Sequence, residues 1–318
     1  KILNELKNNV IAIIPSHGHL DHIGAIPFSA EYYDAPVICS PYTASVIKAI
    51  LKDKNKVIDN EIVTLRLNKK LKLSQNITIE LINVTHSIPD TALVVVHTPD
   101  GSVMYANDFK LDDNPTFQSK PNYKRLKNLG QGKLKALIVD SLYAYKEGHT
   151  PSESVAKEKL RETLLNIDSK NRAIVITTFS SHIARLKSII ELGKRLRRKI
   201  LFMGRSLGKY VYAAQDIGLF DFASKVDICN YTKQMGRRFL DVQKNRGKYI
   251  VVCTGHQGEP QAILSRIVEG SFPFKLQEND HVIFSCKTIP VTPNIENRRI
   301  MENRLRKNKA RLFTNVHS

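Results

Sequence analysis

Within IAIIPSHGHLDHIGAIP, residues 11–27, three histidines and an aspartate fall in six consecutive positions: His17, His19, Asp21 and His22. Folding alone does not call for such a cluster. Imidazole nitrogens and carboxylate oxygens suit Zn²⁺ or another first-row metal. Residues two apart in extended chain point the same way, so His17 and His19 converge on one ion. Asp21 and His22 begin the next turn and aim at a second ion, while Gly18 and Gly24 let the backbone bend tightly. Two ions ~3.5–4 Å apart activate water and stabilise both oxygens of a displacement at phosphorus.

Such a centre needs ligands from other parts of the chain. His86, in NVTHSIPD, follows the run ITIELINV, and Asp108, in YANDFK, follows MYA. Each leaves the end of an expected strand, as His17 does, so all can meet along one sheet edge. His97 is mid-strand and reads as a sheet histidine. His86 and Asp108 are thus candidates to join His17, His19, Asp21 and His22 in the metal set, although either taken singly reads more readily as a capping or turn residue.

The elements that must position these residues change character along the chain. Up to about residue 149 the pattern is one of short strands: NVIAIIP, PVICS, ITIELINV, TALVVVHT and KALIVDS, the last expected to be buried. VVVHTPDGSVMYAND predicts a hairpin turning at Pro99-Asp100-Gly101. From residue 150 strands alternate with helices. SESVAKEKLRETLLNI has helical spacing with Ser152 as its cap, and RAIVITT, KILFMG, KYIVVCTG and HVIFSC are apolar strands. That alternation implies a parallel sheet flanked by helices. The expected organisation is a first domain over 1–149, an α/β domain over 150–285, and a segment 286–318 returning to the first.

Lys and Arg number 49 against 30 Asp and Glu, a formal net charge of +19. Such an excess favours a polyanionic partner, because each neutralised phosphate releases counterions. No apolar run is long enough for a transmembrane helix and no export signal is recognised, so a cytoplasmic protein without membrane contact is expected. Cys39, Cys229, Cys253 and Cys286 form no CxxC pair, which suits buried thiols in a reducing compartment.

Three strands of the second half run into glycine- or hydroxyl-rich turns before expected helices: ITTFSSH, FMGRSLG and VVCTGHQGEP. Helix N-termini and successive backbone N–H groups bind anions, and ligands gather at the carboxyl ends of parallel strands. Ser180, Ser181, His182, Arg205, Ser206 and the loop Gly255, His256, Gln257, Gly258, Glu259 are therefore expected to line a phosphate-binding edge. Phe179 reads either as a base-stacking residue or as core.

The motifs SHGHLDH, THSIPD and NDFK, in this order and spacing, resemble the metallo-β-lactamase fold. The resemblance implies an αββα sandwich with two divalent ions, Zn²⁺ first and Mn²⁺ second. It puts His17, His19 and His86 on one ion, Asp21 and His22 on the other, and Asp108 between them, with Asp21 also steering the attacking water. ITTFSSHIARL, MGRSL, TGHQGEPQAILSRI and VIFSCKTIPVTPNIENRRIMENRL resemble the inserted, mainly parallel β-CASP domain of the ribonuclease J family, its archaeal branch in particular. Asp140, in LIVDS, matches the acidic residue that opens the β-CASP pattern. The resemblance implies hydrolysis of single-stranded RNA, mainly processive 5′→3′ exonuclease action favouring a 5′-monophosphate, with endonuclease action besides. It also implies a homodimer and RNA-decay or ribosome-associated partners.

The family has further strands before the histidine cluster. After a similar VH it continues into a Ser-Gly-His segment, of which His317 is the expected first residue, and then a later metal-binding histidine. The sequence is thus expected to be trimmed at both ends. Two other classes compete: an endonuclease on RNA or DNA from the same superfamily, and a non-catalytic RNA-binding scaffold. A small-molecule hydrolase leaves the charge and the phosphate-type turns unexplained.

Overall fold

A computed structural model describes residue 5 and residues 7–317. The chain divides into two units, Lys1–Thr150 and Pro151–Ser318.

The first unit runs α1 (Leu20–Ile23), α2 (Ile26–Ser29), β1 (Val37–Cys39), α3 (Pro41–Lys54), β2 (Ile62–Thr64), β3 (Lys69–Lys72), β4 (Thr78–Asn83), β5 (Ala92–Thr98), β6 (Gly101–Ala106), α4 (Tyr123–Gly130) and β7 (Leu134–Val139). One sheet has the order β3-β4-β5-β6-β7, antiparallel except for the parallel β6–β7 pair. The other is the parallel pair β1–β2.

Alternation along β4 and β5 gives the large sheet two apolar faces. Ile79, Leu81, Ala92 and Val94 pack with Ile38 and Val63 of the small sheet and with Leu65 and Ile14 outside it. Ile82, Leu93 and Val95 pack with Leu126 and Leu129 of α4. Helix α3 starts on Pro41 behind the cap Ser40, whose hydroxyl accepts from the Thr43 N–H, and it buries Val46, Ile47 and Ile50. The β5–β6 hairpin turns at Pro99-Asp100 with Gly101 at φ 142°, as its sequence predicts.

Two expected strands come out differently. NVIAIIP contributes only a single bridge, Ile13 to Val37, because Ile13 finds backbone partners only in the Pro36–Ile38 stretch. KALIVDS does form β7, but Leu137, Ile138 and Val139 are 51%, 55% and 45% exposed. This strand ends the sheet order, and the described residues cover neither of its faces.

The second unit runs α5 (Glu153–Asn166), β8 (Ile174–Thr177), α6 (Ile183–Arg195), β9 (Lys199–Met203), α7 (Arg205–Asp216), β10 (Asp227–Cys229), α8 (Thr232–Lys244), β11 (Tyr249–Cys253), α9 (Ile263–Val268), β12 (His281–Phe284), α10 (Thr292–Lys307) and β13 (Arg311–Phe313). All six strands are parallel, in the order β10-β9-β11-β8-β12-β13. One face packs on α8, α9 and α10 through Phe239, Leu264, Met301 and Leu305. The four foreseen strands stand adjacent at its centre, and the three-residue strands β10 and β13 extend it at the edges. Residues 292–313, expected to lead back to the first domain, are instead the last helix and edge strand of this sheet, because β13 finds its backbone partner in β12 with His281 level with Arg311. Among the described residues no helix is long and apolar enough to cross a membrane.

A buried ion pair fixes the loops at the carboxyl ends of these strands. Glu153 begins α5, capped by Ser152 as expected. Its carboxylate accepts from Arg185 Nε at 2.6 Å and Nη2 at 2.8 Å, and Arg185 Nη1 donates to Ser285 Oγ at 2.9 Å. Burial alone raises a carboxyl pKa, but the charges of His182 and Arg185 outweigh it and hold Glu153 well below the usual range. Glu153→Ala strands the Arg185 charge, so urea denaturation at pH 7 is expected to show a loss of about 3–5 kcal/mol in unfolding free energy.

Candidate metal centre

The donors sit where chain leaves sheet. Ser16 and His17 form a bend rather than the extended chain expected, and His19, with φ −71° and ψ 147°, is the extended N-cap residue of α1, the single helical turn that holds Asp21 and His22. A Cβ at Gly24 would stand 2.4 Å from the Leu20 carbonyl oxygen, so only glycine closes this turn. His86 follows β4 and Asp108 follows β6, whose trailing loops are joined by a bridge between Thr85 and Lys110. The Ala92 N–H donates to the Ser16 carbonyl at 2.9 Å, tying the histidine loop to the start of β5.

These constraints gather the donors into two groups. His17, His19, His86 and Asp108 form one, and Asp21, His22 and Asp108 the other, with all ligand atoms of a group within 4.8 Å of one another. His19 Nδ1 lies 3.1 Å from both His17 Nε2 and His86 Nε2. Asp108 Oδ2 lies 3.9 Å from His17 Nε2, 3.8 Å from His86 Nε2 and 3.4 Å from His22 Nε2, and Asp21 Oδ2 is 3.4 Å from His22 Nε2. A tetrahedral ion with bonds of ~2.0–2.1 Å has ligand–ligand edges of ~3.3 Å, so the spacing fits a divalent cation in each group. Nitrogen and carboxylate donors admit both Zn²⁺ and Mn²⁺.

The rings are held for that purpose. Ser16 Oγ is 3.0 Å from His17 Nδ1, and the Asn107 amide is 2.8 Å from His22 Nδ1. With the Ser16 oxygen accepting from Nδ1–H, the His17 Nε2 lone pair faces inward, while Asn107 Nδ2 fixes the His22 ring at its Nδ1. Ser87 Oγ stands 3.4 Å from His19 Nε2. The motif reading missed these three. Ser16, Ser87 and Asn107 each adjoin a ligand in sequence, which is their only signal. Burial, helped by the neighbouring His86 and His22, lowers the His17 pKa to about 3, so the ring is a neutral electron-pair donor at pH 7.

Asp140 follows β7 directly, and its N–H donates to the Ala106 carbonyl at 2.9 Å. Its Oδ1 accepts from the Leu142 N–H at 3.0 Å, and it enters neither donor group.

In the second unit the loops after β9, β11 and β8 lie side by side, because these strands are neighbours. Arg205 is exposed and Ser206 half-buried at the start of α7, and Ser180 is half-buried. Ser181, His182, His256 and Gln257 are buried. Much of the 255–259 loop is spent internally. The Gln257 N–H donates to the Glu259 carboxylate at 3.0 Å and the Gly258 N–H to the Gly255 carbonyl at 3.1 Å. Gln257 Nε2 donates to the Lys287 carbonyl at 3.3 Å, and its Oε1 accepts from the Ile289 N–H at 3.0 Å. Gly258 has φ 77°, and a Cβ there would stand 2.4 Å from the Asn297 carbonyl. Among the described residues His256 has no hydrogen-bond partner at either ring nitrogen, nor His182 at Nδ1. Burial, with Arg298 beside it, lowers the His256 pKa to about 3. Phe179 packs on the His256 ring at 3.9 Å between centroids, which favours its core reading. The His317 carbonyl accepts from Lys159 Nζ at 2.9 Å.

The model described as the metallo-beta-lactamase superfamily matches residues 1–178, and that described as the ribonuclease J beta-CASP domain matches residues 170–302. A protein called ribonuclease J from Methanocaldococcus jannaschii is 39% identical over 318 residues, covering 99% of this chain and 71% of that protein. The chain belongs to the ribonuclease J family. The family's protein from Pyrococcus abyssi is 38% identical over 310 residues, covering 97% of this chain and 68% of its own length. A solved structure of a protein of unknown function from Enterococcus faecalis V583 shares the fold, with TM-score 0.59 and 14% identity over 96% of this chain and 69% of that one. Membership in the ribonuclease J family implies divalent metal ions, and the two donor groups fit them.

Asp108→Ala removes the one carboxylate common to both groups and His86→Ala a donor of only one. Metal analysis of the purified proteins is expected to show both ions depleted in the first variant and one retained in the second. In metal-free protein, His17 binds its proton only near pH 3 when folded but near pH 6.5 when unfolded. Stability is therefore expected to fall as pH drops through that window, by up to ~1.4 kcal/mol per pH unit, with His17→Gln flattening the slope in a urea series.

Proposed function

We propose that this chain is a metal-dependent ribonuclease that hydrolyses phosphodiesters of single-stranded RNA, mainly from the 5′ end and favouring a 5′-monophosphate, with internal cleavage as a secondary activity. The observation that carries it is the sharing of Asp108 between two convergent donor groups in a member of the ribonuclease J family. His17, His19 and His86 would hold one divalent ion, Asp21 and His22 the other, and Asp108 both. When bound, the pair would lower the pKa of water and offset charge on the reacting phosphate. Asp21, whose side chain is 78% exposed, would orient the attacking water and take its proton at the carboxylate. His22, held by Asn107, would keep Asp21 and Asp108 in register.

The loops Ser180–His182, Arg205–Ser206 and Gly255–Glu259 would receive the 5′-terminal phosphate, with exposed Arg205 supplying charge and the unpartnered His182 Nδ1 supplying a donor. Processive action that favours a 5′-monophosphate must regenerate one at every cut. Water therefore attacks the phosphorus, the 3′-oxygen leaves, and the phosphate stays on the downstream product. We assign the protein to the cytoplasm as a homodimer, with RNA-decay or ribosome-associated partners as the family implies.

The test compares one 3′-labelled RNA carrying a 5′-monophosphate, 5′-triphosphate or 5′-hydroxyl. Stepwise mononucleotide release from the monophosphate form is expected, falling ~10²–10⁴-fold in Asp21→Ala as for loss of a proton acceptor. Internal cuts indifferent to the 5′ end would make it an endonuclease. Binding without cleavage in metal-loaded protein would make it a scaffold.

A further inference from the structure

The net charge is very unevenly divided. Residues 151–318 hold 31 Lys and Arg against 15 Asp and Glu, a net of +16, whereas residues 1–150 hold 18 against 15, a net of +3. Within the second unit the charge is uneven again. Because its six strands are all parallel, every connection from helix to strand lies at one edge of the sheet and every connection from strand to helix at the other. The connections leading into strands (167–173, 196–198, 217–226, 245–248, 269–280 and 308–310) contain nine Lys or Arg against five Asp or Glu, a net of +4. Those leaving strands (178–182, 204, 230–231, 254–262 and 285–291) contain Lys287 against Glu259, a net of zero. The cationic edge is thus the amino-terminal one, opposite the edge assigned above to the 5′-phosphate.

Helix dipoles account for part of this, since cations stabilise helix C-termini. Lys194, Arg195, Lys244 and Lys307 close helices and fit that explanation. Lys170, Arg197, Lys199, Lys248, Lys275 and Arg311 lie beyond the helix ends or on the first residue of a strand, and all six are exposed. None of the six has an ion-pair partner among the described residues.

Their spacing follows from the sheet. Lys199 is level with Tyr249, which Lys248 precedes, and Arg311 is level with His281. The row crosses five adjacent strands, β9 to β13, a width of ~19 Å at ~4.8 Å per strand.

The ground beneath the row is rigid. Buried Arg198 donates to the carbonyls of Arg172 at 2.9 Å and Tyr249 at 3.2 Å, and buried Arg246 donates to the Lys275 carbonyl at 3.0 Å and pairs with Asp280. Asp280 in turn accepts from the Ala173 N–H at 2.9 Å and the Gln277 N–H at 2.7 Å. Two arginines and one aspartate thus staple four of the connections that carry the cations.

Among the described residues no aromatic side chain on this edge is exposed, Phe220 of the 217–226 connection being half-buried. The exposed aromatics of this unit, Tyr212 and Tyr231, lie within α7 and just past the carboxyl end of β10. Cations on a rigid edge without exposed aromatics read phosphates and backbone shape, whereas single-strand grooves combine charge with stacking.

We propose that the amino-terminal edge of the second unit's sheet is a docking surface for the phosphate backbone of helical RNA. The choice of RNA as the polyanion rests on the ribonuclease reading above; the surface itself does not.

The test uses the full chain with Lys199, Lys248, Lys275 and Arg311 all changed to Gln, against a blunt hairpin of phosphorothioate RNA that resists hydrolysis. Across salt titrations the hairpin affinity is expected to fall about tenfold or more, and the log–log salt slope to become shallower by about 3. Thermal unfolding and cleavage of a short unstructured RNA should stay unchanged, and Lys199→Arg with Lys248→Arg should bind like the parent. Unchanged hairpin affinity would overturn the proposal. An equal loss of unstructured RNA binding would also overturn it, making the edge part of the general substrate grip. So would lost binding of polyglutamate with hairpin binding intact, which would give the surface to an acidic protein. A parent chain that binds the hairpin but cleaves no RNA would contradict only the ribonuclease reading.

Discussion

Three imidazoles crowd to within 3.1 Å contacts in the first unit, one of them fully buried, and this is tolerable only while the rings are neutral and their lone pairs share an electrophile. Burial disfavours a charged His17 ring and the neighbouring His86 and His22 add to this, which is why His17 titrates so far below an ordinary histidine. Asp108 supplies the counterweight. Among the described residues Asp108 is the one residue that belongs to both donor groups, so the centre closes around that carboxylate. The local fold serves this convergence: the Thr85–Lys110 bridge sets the His86 loop against the Asp108 loop, and the Ser16–Ala92 hydrogen bond anchors the histidine turn.

The role proposed for the second unit is a different one, the handling of a long polyanion, and its all-parallel topology separates two chemically distinct edges for it. Strand exits carry hydroxyls, glycines and histidines with almost no charge, and strand entries carry the lysines and arginines. The exits are tightly knit. The Glu153–Arg185 pair reaches Ser285, Gln257 grips the 287–289 backbone, and Arg298 donates to the His256 carbonyl at 2.6 Å while lying over Phe284. A loop that spends its amides on itself offers fewer of them to a ligand, so the unpartnered nitrogens of His182 and His256 and the exposed Arg205 are its remaining polar resources.

How far the sequence could be read depended on how local each signal was. HxHxDH was legible as a donor cluster because of its density, and its Asp21 and His22 do lie on one helical turn, but the chain at Ser16 and His17 is a bend where extended backbone was expected. His86 and Asp108 were legible because both end strands with clear alternation. Ser16 and Asn107 were not, since whether a serine or an amide turns toward a ring depends on packing no spacing reveals. KALIVDS was correctly a strand but wrongly buried, because an apolar run reports what a strand can bury and not what covers it. The three-residue strands β10 and β13 were too short to show a period, and β13 drew residues 292–313 into the second sheet. The glycine-rich 255–259 turn was located correctly, but composition does not tell which of its N–H groups bond within the turn.

The central claim is that the His/Asp centre hydrolyses RNA with water as the nucleophile and the 3′-oxygen as the leaving group. It is tested most directly by cleaving RNA in ¹⁸O-labelled water with the metal-loaded protein and weighing the products. The account predicts one ¹⁸O in each new 5′-phosphate and a 3′-hydroxyl on the upstream fragment. A 2′,3′-cyclic phosphate free of label would contradict it, because the RNA's own 2′-oxygen would then have made the attack.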